Sequence, residues 1–181
     1  ANCARYCGAS VDFVDIELTT GNMCMAALEN KLIAAKLTNT LPKVVIPVHF
    51  AGQTCDMQNI AALAQEYGFK VIEDASHAIG ARFQDSPVGS CQFSDICVFS
   101  FHPVKIITTA EGGVALTKDL TLAARMQLLR SHGITRNPDD MTEVSHGPWY
   151  YQQVELGLNY RMTELQAALG LSQLSRLDTF I

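Results

Sequence analysis

The feature that most constrains this chain is an alternation of short apolar runs with helical patterns. Four runs rich in β-branched and other apolar residues fit strands. These runs are VDFVDI (11–16), KVVIPV (43–48), KVIED (70–74) and ICVFSF (96–101). An order of strand, helix, strand and helix is typical of a parallel sheet covered on both faces. The sequence therefore predicts an α/β fold of three layers, α/β/α, around a mainly parallel sheet.

Three stretches between and after these runs have the apolar period of amphipathic helices. Their apolar positions are Met25, Leu28, Leu32 and Ala35 in the first, Ile60, Leu63, Ala64 and Tyr67 in the second, and Leu122, Met126 and Leu129 in the third. Asn22 and Asp56 stand where helix caps are expected, and Gly68 stands where a helix would stop. Thr163 and Gln166 have the spacing of a capping box, which predicts a last helix from this point.

The remainder of the chain adds one strand and one loop to this prediction. The run GGVALT (112–117) fits a fifth strand, whereas residues 131–159 lose the periodic pattern and contain prolines, glycines and an aromatic run. We expect a long irregular loop there, and loops of this length tend to be functional or to contact a partner. The aromatic residues Trp149, Tyr150 and Tyr151 either line a substrate pocket or pack in a dimer interface.

Composition excludes several classes of protein. The net charge is −5 with no run of Lys and Arg, which argues against a nucleic-acid partner. No apolar stretch approaches the roughly 20 residues of a membrane helix, and no export signal is evident, so we expect a cytoplasmic location and no membrane partner. Six cysteines lie scattered without a CxxC pair, which favours reduced thiols over structural zinc or disulfides, and no metal site is expected.

The two ends of the chain suggest that it is part of a larger domain. The segment ANCARYCG at the start reads as the last turn of a helix stopped by Gly8, and the chain stops inside the helical pattern LSQLSRLDTFI. We therefore expect residues 1–181 to form one incomplete domain.

An acidic residue and a lysine follow two neighbouring strands of the predicted sheet. Asp74 ends the run KVIED, and Lys105 follows the run ICVFSF within SFHPVK. The carboxyl ends of parallel strands meet at one sheet edge, where ligands usually bind. A carboxylate and an amine over one crevice suggest a pyridoxal-phosphate site, in which the amine binds the aldehyde and the carboxylate keeps the pyridine nitrogen protonated. The alternative is that Asp74 caps a helix and Lys105 is a solvated surface charge.

Three longer segments resemble a known family. VIEDASHAIGARF, GSCQFSDICVFSFHPVKIITTAEGG and LGLNYRMTELQAALGLSQL are similar to the sugar aminotransferases of the DegT/DnrJ/EryC1/StrS family. This resemblance implies the fold of aspartate aminotransferase, with residues 1–181 forming part of its large pyridoxal-phosphate-binding domain. It also implies that the amino-terminal part and the carboxyl-terminal small domain lie outside this sequence. Within the family, the similarity is greatest to members that aminate a UDP-linked 4-keto-6-deoxy sugar for pseudaminic acid biosynthesis, with L-glutamate as the amino donor.

The resemblance also implies roles for individual residues. Lys105 corresponds to the Schiff-base lysine and Asp74 to the partner of the pyridinium nitrogen. His77 stands where many members have Gln beside the ring hydroxyl, and imidazole also donates a hydrogen bond. Ser100 corresponds to a donor to the cofactor phosphate. Asn159 corresponds to the residue that reaches the cofactor phosphate of the neighbouring subunit, which implies a homodimer with shared active sites.

Four cationic side chains are further candidates for substrate binding. Arg130, His132 and Arg136 could contact the diphosphate of a nucleotide sugar or the carboxylates of glutamate, or they could form an ordinary cation cluster at a helix end. Arg161 could serve the substrate or hold the loop before the last helix. Three other interpretations remain open: a different nucleotide sugar as substrate, a pyridoxal-phosphate sugar dehydratase, and a noncatalytic fragment. Lys105 argues against the dehydratase, because that class has His at this position.

Overall fold

The structure, a computed structural model, describes residues 1–181 as an alternation of helices and strands. The helices are α1 (Asn2–Tyr6), α2 (Met25–Leu37), α3 (Met57–Tyr67), α4 (Leu120–Leu129), α5 (Glu164–Leu174) and α6 (Leu177–Phe180). The strands are β1 (Val44–Val45), β2 (Lys70–Asp74), β3 (Arg82–Phe83), β4 (Ser86–Pro87), β5 (Ile96–Ser100), β6 (Gly113–Leu116), β7 (Ile134–Thr135) and β8 (Gln152–Gln153). None of the helices combines the length and the apolar character needed to cross a membrane.

The main sheet has four strands in the order β1, β2, β5 and β6. The pairs β1–β2 and β2–β5 are parallel, and β6 runs antiparallel to β5 at the edge. In the register of the central pair, Asp74 is the partner of Val98. The predicted α/β fold with a mainly parallel sheet is confirmed.

One face of this sheet is packed under α2 and α3. Leu32 of α2, Ile60 of α3 and Val71 of β2 belong to one buried cluster, and each is at most 2% exposed. A smaller cluster around Cys97 and Phe99 continues the core along β5. The residues that alternate with these, including Ile72, Asp74, Val98 and Ser100, point to the other face and are only half-buried.

The helix boundaries follow local signals. The Asp56 side chain accepts a hydrogen bond from the Asn59 N–H at the start of α3, and Gly68 ends that helix with a left-handed φ of +78°. Thr163 and Gln166 form the predicted capping box of α5, with both reciprocal hydrogen bonds present. These three local predictions are confirmed.

Two predictions near the start of the chain are wrong. Residues 11–16 do not form a strand, because no neighbouring strand offers them a ladder and only Ile16 makes an isolated bridge, to Met23. Asn22 does not cap α2, because the N-cap position of this helix is occupied by Cys24. The Asn22 side-chain amide donates instead to the carbonyls of Gln53 and Thr54, 31 and 32 residues away.

Two other segments differ from prediction in extent. Within the run at 43–48, only Val44 and Val45 of β1 form ladder pairs, and Val48 forms one more bridge, to Asp74. The ladder is interrupted at Pro47, because proline has no N–H to donate. Residues 131–159 are not wholly irregular, because β7 and β8 pair within them as a short antiparallel ribbon. That ribbon ties the base of the long loop together.

Candidate active site

Asp74 and Ser100 lie at the same edge and on the same face of the sheet. Each is the last residue of its strand, and β2 and β5 are parallel, so both strand ends meet at one edge. Val98 is the register partner of Asp74, and Ser100 lies two residues further along β5. Because strand side chains alternate with a period of two, Asp74, Val98 and Ser100 all point to one face.

Lys105 lies in a loop that leaves this edge directly after β5. The loop begins at Phe101 and returns at Thr109, whose N–H donates to the Phe101 carbonyl at 3.0 Å. The Thr108 hydroxyl donates to the same carbonyl at 2.9 Å. Lys105 is half-buried, and none of the ion pairs or side-chain hydrogen bonds in residues 1–181 includes its Nζ. The structure thus places Lys105 in a loop that leaves the sheet edge at which β2 ends with Asp74, and its amine has no partner within the chain.

The Asp74 carboxylate is oriented by the turn that follows it. Its Oδ1 accepts hydrogen bonds from the Ser76 N–H at 3.1 Å and from the Ser76 hydroxyl at 2.6 Å. Its Oδ2 has no hydrogen-bond partner within the chain. One oxygen therefore holds the turn, as Asp side chains commonly do two residues before a backbone N–H, while the other remains available to a ligand.

The tautomer of His77 is set by a neighbouring backbone group. The Ala51 N–H donates to His77 Nδ1 at 3.4 Å, so the ring proton of the neutral imidazole belongs on Nε2. Phe50 packs edge-on against the same ring, with the two ring centroids 6.3 Å apart. His77 is exposed and presents Nε2–H as a donor. No sequence pattern indicated the contribution of Phe50 and Ala51, which lie 26 or more residues from His77.

Ser100 also keeps a free donor. Its Oγ accepts a hydrogen bond from the His102 N–H at 3.3 Å, which leaves the hydroxyl proton available. This bond fixes the first turn of the Lys105 loop to the end of β5.

Arg130, His132, Asn159 and Arg161 come together in a second group. Ser131 and Asn159 form an antiparallel bridge, and the Tyr160 N–H donates to the Arg130 carbonyl at 2.9 Å. The Asn159 side chain is exposed and makes no hydrogen bond within the chain. The Arg136 guanidinium lies 5.9 Å from the centre of the Tyr151 ring.

A cleft of about 410 Å³ lies beside the second group. Its lining includes Val98 of β5, Glu111, Met162 and Gln166, together with Arg161 from the second group. Val98 is the register partner of Asp74, so the cleft opens beside the Asp74 face of the sheet. Asp74 and Lys105 themselves do not line it.

Sequence reasoning missed a buried polar network behind the site. His49, Glu73 and Ser94 are linked by side-chain hydrogen bonds on the core face of β2. A signal was present, since Glu73 occupies the core-facing position of an alternating strand, where an acidic residue requires a partner.

Comparison with known proteins decides the family. The model of the DegT/DnrJ/EryC1/StrS aminotransferase family matches residues 1–181, the whole of the sequence. The chain belongs to this family. Enzymes of the family depend on pyridoxal phosphate.

Individual relatives are similar over nearly all of the chain. It is 39% identical over 178 residues to the UDP-4-amino-4,6-dideoxy-N-acetyl-beta-L-altrosamine transaminase of Campylobacter jejuni, covering 98% of the chain and 43% of that protein. It is 42% identical over 178 residues to the GDP-perosamine synthase of Caulobacter vibrioides, with the same coverage of 98% and 43%. The chain spans about two fifths of the length of the curated relatives that it matches.

A solved structure extends this likeness to the fold. The aminotransferase PseC of Helicobacter pylori, involved in the biosynthesis of pseudoaminic acid, superposes with a TM-score of 0.85 at 34% identity. The match covers 99% of the chain and 43% of PseC. The predicted fold of aspartate aminotransferase, which these sugar aminotransferases share, is confirmed.

Proposed function

We propose that the protein acts as a pyridoxal-phosphate-dependent aminotransferase that moves an amino group from L-glutamate to the 4-keto carbon of a UDP-linked 4-keto-6-deoxy sugar. The observation that carries this proposal is that Asp74 ends β2 and Lys105 lies in the loop that follows the neighbouring parallel strand β5, each with an unpaired functional atom. The family of aminotransferases to which the chain belongs supports the same chemistry.

The free polar groups at this edge fit the cofactor. Asp74 Oδ2 offers a carboxylate acceptor for a protonated pyridine nitrogen, and His77 Nε2–H offers a donor for the ring hydroxyl oxygen. The Ser100 hydroxyl offers a donor for a phosphate oxygen, and Lys105 Nζ offers a nucleophile for the aldehyde. The carboxylate, the imidazole N–H, the hydroxyl and the amine together match the ring nitrogen, ring hydroxyl, phosphate and aldehyde of pyridoxal phosphate.

Each residue has a defined task in this proposal. Pyridoxal phosphate, when bound, supplies an electron sink for the negative charge that develops on the substrate carbon. Lys105 anchors the cofactor and, once the amino donor has displaced its Nζ, serves as the base that takes a proton from the substrate carbon. Asp74 Oδ2 would accept a hydrogen bond from the ring nitrogen and so favour its protonated form. Ser76 keeps that carboxylate in place through two hydrogen bonds.

Substrate binding is assigned to the second group and the cleft. Arg161 lines the cleft, and Arg130 and His132 lie beside the same segment. Guanidinium groups bind phosphate and carboxylate oxygens in pairs of charge-assisted hydrogen bonds. The Campylobacter transaminase and PseC support a UDP-linked sugar of pseudaminic acid biosynthesis. The similarity to GDP-perosamine synthase supports a second candidate, a different nucleotide-linked keto sugar.

We also propose a homodimer with shared active sites. The exposed Asn159 side chain, which makes no hydrogen bond in its own chain, is assigned to the cofactor phosphate of a second copy. Sedimentation equilibrium with and without pyridoxal phosphate tests this assignment, and we expect a dimer. We also expect the variant Asn159→Ala to bind the cofactor less tightly than the unchanged chain. A monomer at all concentrations would contradict it.

Covalent trapping tests the cofactor site directly. The chain is mixed with pyridoxal phosphate, reduced with borohydride and mapped by peptide mass spectrometry, and we expect the adduct at Lys105. Lys105→Arg should lose it, whereas Lys118→Arg, at an exposed lysine 13 positions later, should keep it. An adduct spread over surface lysines, or equal labelling of both variants, would overturn the site.

A transfer assay tests the activity and separates the substrates. Formation of 2-oxoglutarate from glutamate is followed with UDP-, GDP- and dTDP-linked 4-keto-6-deoxy sugars, and we expect the highest kcat/KM with the UDP-linked sugar. A higher value with another nucleotide would favour the second candidate. Adduct formation at Lys105 without transfer to any sugar would favour the noncatalytic alternative.

A further inference from the structure

The Lys105 loop, residues 101–109, is contacted both at its base and by a helix distant in sequence. The Lys105 N–H donates to the His102 carbonyl at 3.0 Å, and Thr108 and Thr109 both bond to the Phe101 carbonyl. These contacts lie within the loop and at its base on β5. A further contact comes from α5, which approaches the loop from a distant part of the sequence.

Two residues one turn apart on α5 contact the returning end of the loop. Gln173 Oε1 accepts a hydrogen bond from the Thr108 N–H at 3.2 Å, across 65 residues of sequence. A Cβ atom at Gly170 would lie only 2.8 Å from Thr109 Cγ2, so the glycine permits a close approach of helix and loop. Thr109 is 1% exposed at this contact. Positions separated by three share one helix face, so α5 presents a glycine and an acceptor to the loop together.

We propose that Gln173 is a positioning residue for Lys105. Its side chain satisfies a backbone donor three residues beyond the lysine and ties the loop to a helix that begins with a complete capping box. Holding Thr108 in place restricts the positions that Lys105 Nζ reaches at the sheet edge, and the rate of a covalent step depends steeply on such placement. This inference rests on the proposed function of Lys105. If Gln173 only stabilised the docking of α5, its loss would leave the reaction rate of Lys105 unchanged.

Three variants of the full chain separate these roles. Gln173→Met keeps the length and helix propensity of the side chain but removes the acceptor, and Gln173→Glu keeps an oxygen acceptor at the same place. Gln65→Met is the control, because Gln65 is exposed on α3 and makes no side-chain hydrogen bond. Circular dichroism checks that each variant folds, and Gln173→Ala replaces the Met variant if that one does not.

Two measurements are made on each variant. Hydrogen–deuterium exchange follows the peptide that spans 101–109 without any cofactor. Borohydride trapping after timed mixing gives the rate at which pyridoxal phosphate reacts with Lys105. We expect Gln173→Met to lose protection in the loop and to react at Lys105 about tenfold more slowly, the effect of one lost hydrogen bond. Gln173→Glu and Gln65→Met should behave like the unchanged chain.

The outcomes distinguish the two proposals. Unchanged exchange in Gln173→Met would overturn the inference, as would faster exchange with an unchanged trapping rate, because the contact would then be structural only. If the unchanged chain forms no adduct at Lys105, the proposed function itself fails and the positioning role fails with it. Faster exchange and slower trapping in Gln173→Met, restored in Gln173→Glu, would support both.

Discussion

His49 Nε2 lies 2.8 Å from Glu73 Oε2, and both side chains are buried behind the candidate site. The Cys55 N–H donates to His49 Nδ1 at 3.2 Å, so the ring proton belongs on Nε2 and is donated to the carboxylate. The Ser94 hydroxyl donates to the other carboxylate oxygen. The His49 N–H donates to the Asp74 carbonyl at 3.0 Å, so this network is tied to the strand end that carries Asp74.

Breaking the buried pair should strongly destabilise the protein. His49→Leu leaves the Glu73 carboxylate buried with one partner, and we expect a loss of about 3–5 kcal/mol in the free energy of unfolding. The double variant His49→Leu/Glu73→Leu removes both polar groups and should be more stable than His49→Leu alone. Urea unfolding followed by circular dichroism measures both. Lys31→Met, which breaks the exposed pair with Asp12, is the control and should change little.

Gly170→Ala should destabilise the protein although alanine favours helices. Alanine gains about 1 kcal/mol over glycine in a helix interior, but its Cβ would lie 2.8 Å from Thr109 Cγ2 and force a shift costing about 1–3 kcal/mol. Thr109→Ser removes that methyl group, so Gly170→Ala/Thr109→Ser should recover part of the loss. Thermal unfolding provides the comparison, and a Gly170→Ala variant of raised Tm would contradict the close contact.

Asp74→Asn should weaken cofactor binding without unfolding the turn. The asparagine oxygen still accepts both hydrogen bonds from Ser76, but the negative charge that we propose for binding the protonated pyridine nitrogen is lost. Hydrogen bonds to charged groups contribute about 1.5–3 kcal/mol, so we expect the Kd for pyridoxal phosphate to rise about tenfold or more. Absorbance titration gives the Kd, and an unchanged value would remove Asp74 from the cofactor site.

The cysteines should divide into reactive and protected groups. Burial raises the pKa of the Cys55 thiol to about 11 and that of Cys97 to about 12, and the charge of Glu73 adds to both shifts. Burial also raises the pKa of Cys91. Cys3 and Cys7 are exposed. At pH 8, iodoacetamide should therefore label Cys3 and Cys7 first, as peptide mapping will reveal. Rapid labelling of Cys97 in the folded protein would contradict this.

The same raised pKa values should make stability fall at high pH. Between the ordinary thiol pKa of 9.0 and the folded values of about 11 and 12, the unfolded chain loses protons that the folded chain retains. Stability decreases where the unfolded state binds fewer protons, so the contribution of Cys55 and Cys97 is complete below pH 9 and is lost as the pH rises through the folded values. Tm measured from pH 8 to 11 should fall less steeply in Cys55→Ala/Cys97→Ala.

Local hydrogen bonds account for the parts of the fold that the sequence predicted. The capping box of Thr163 and Gln166 and the stop at Gly68 are complete within a few residues, so the local sequence contains everything that they require. The same holds for Asp74 at the end of a β-branched run. The resemblance of whole segments then identified the family, because the lysine, serine and glycine residues of SFHPVKIITTAEGG occur together in one short stretch.

The tertiary structure decided which distant groups became partners. Residues 11–16 have the composition of a strand but lack a neighbour to pair with, and Asn22 has the chemistry of a cap but bonds to carbonyls 31 and 32 residues away. The proton position on His77 depends on an amide 26 residues away, and the Thr108 N–H in the Lys105 loop donates to Gln173, 65 residues away. A side chain's own type fixes what it donates or accepts, whereas the choice of partner depends on which surfaces folding brings together.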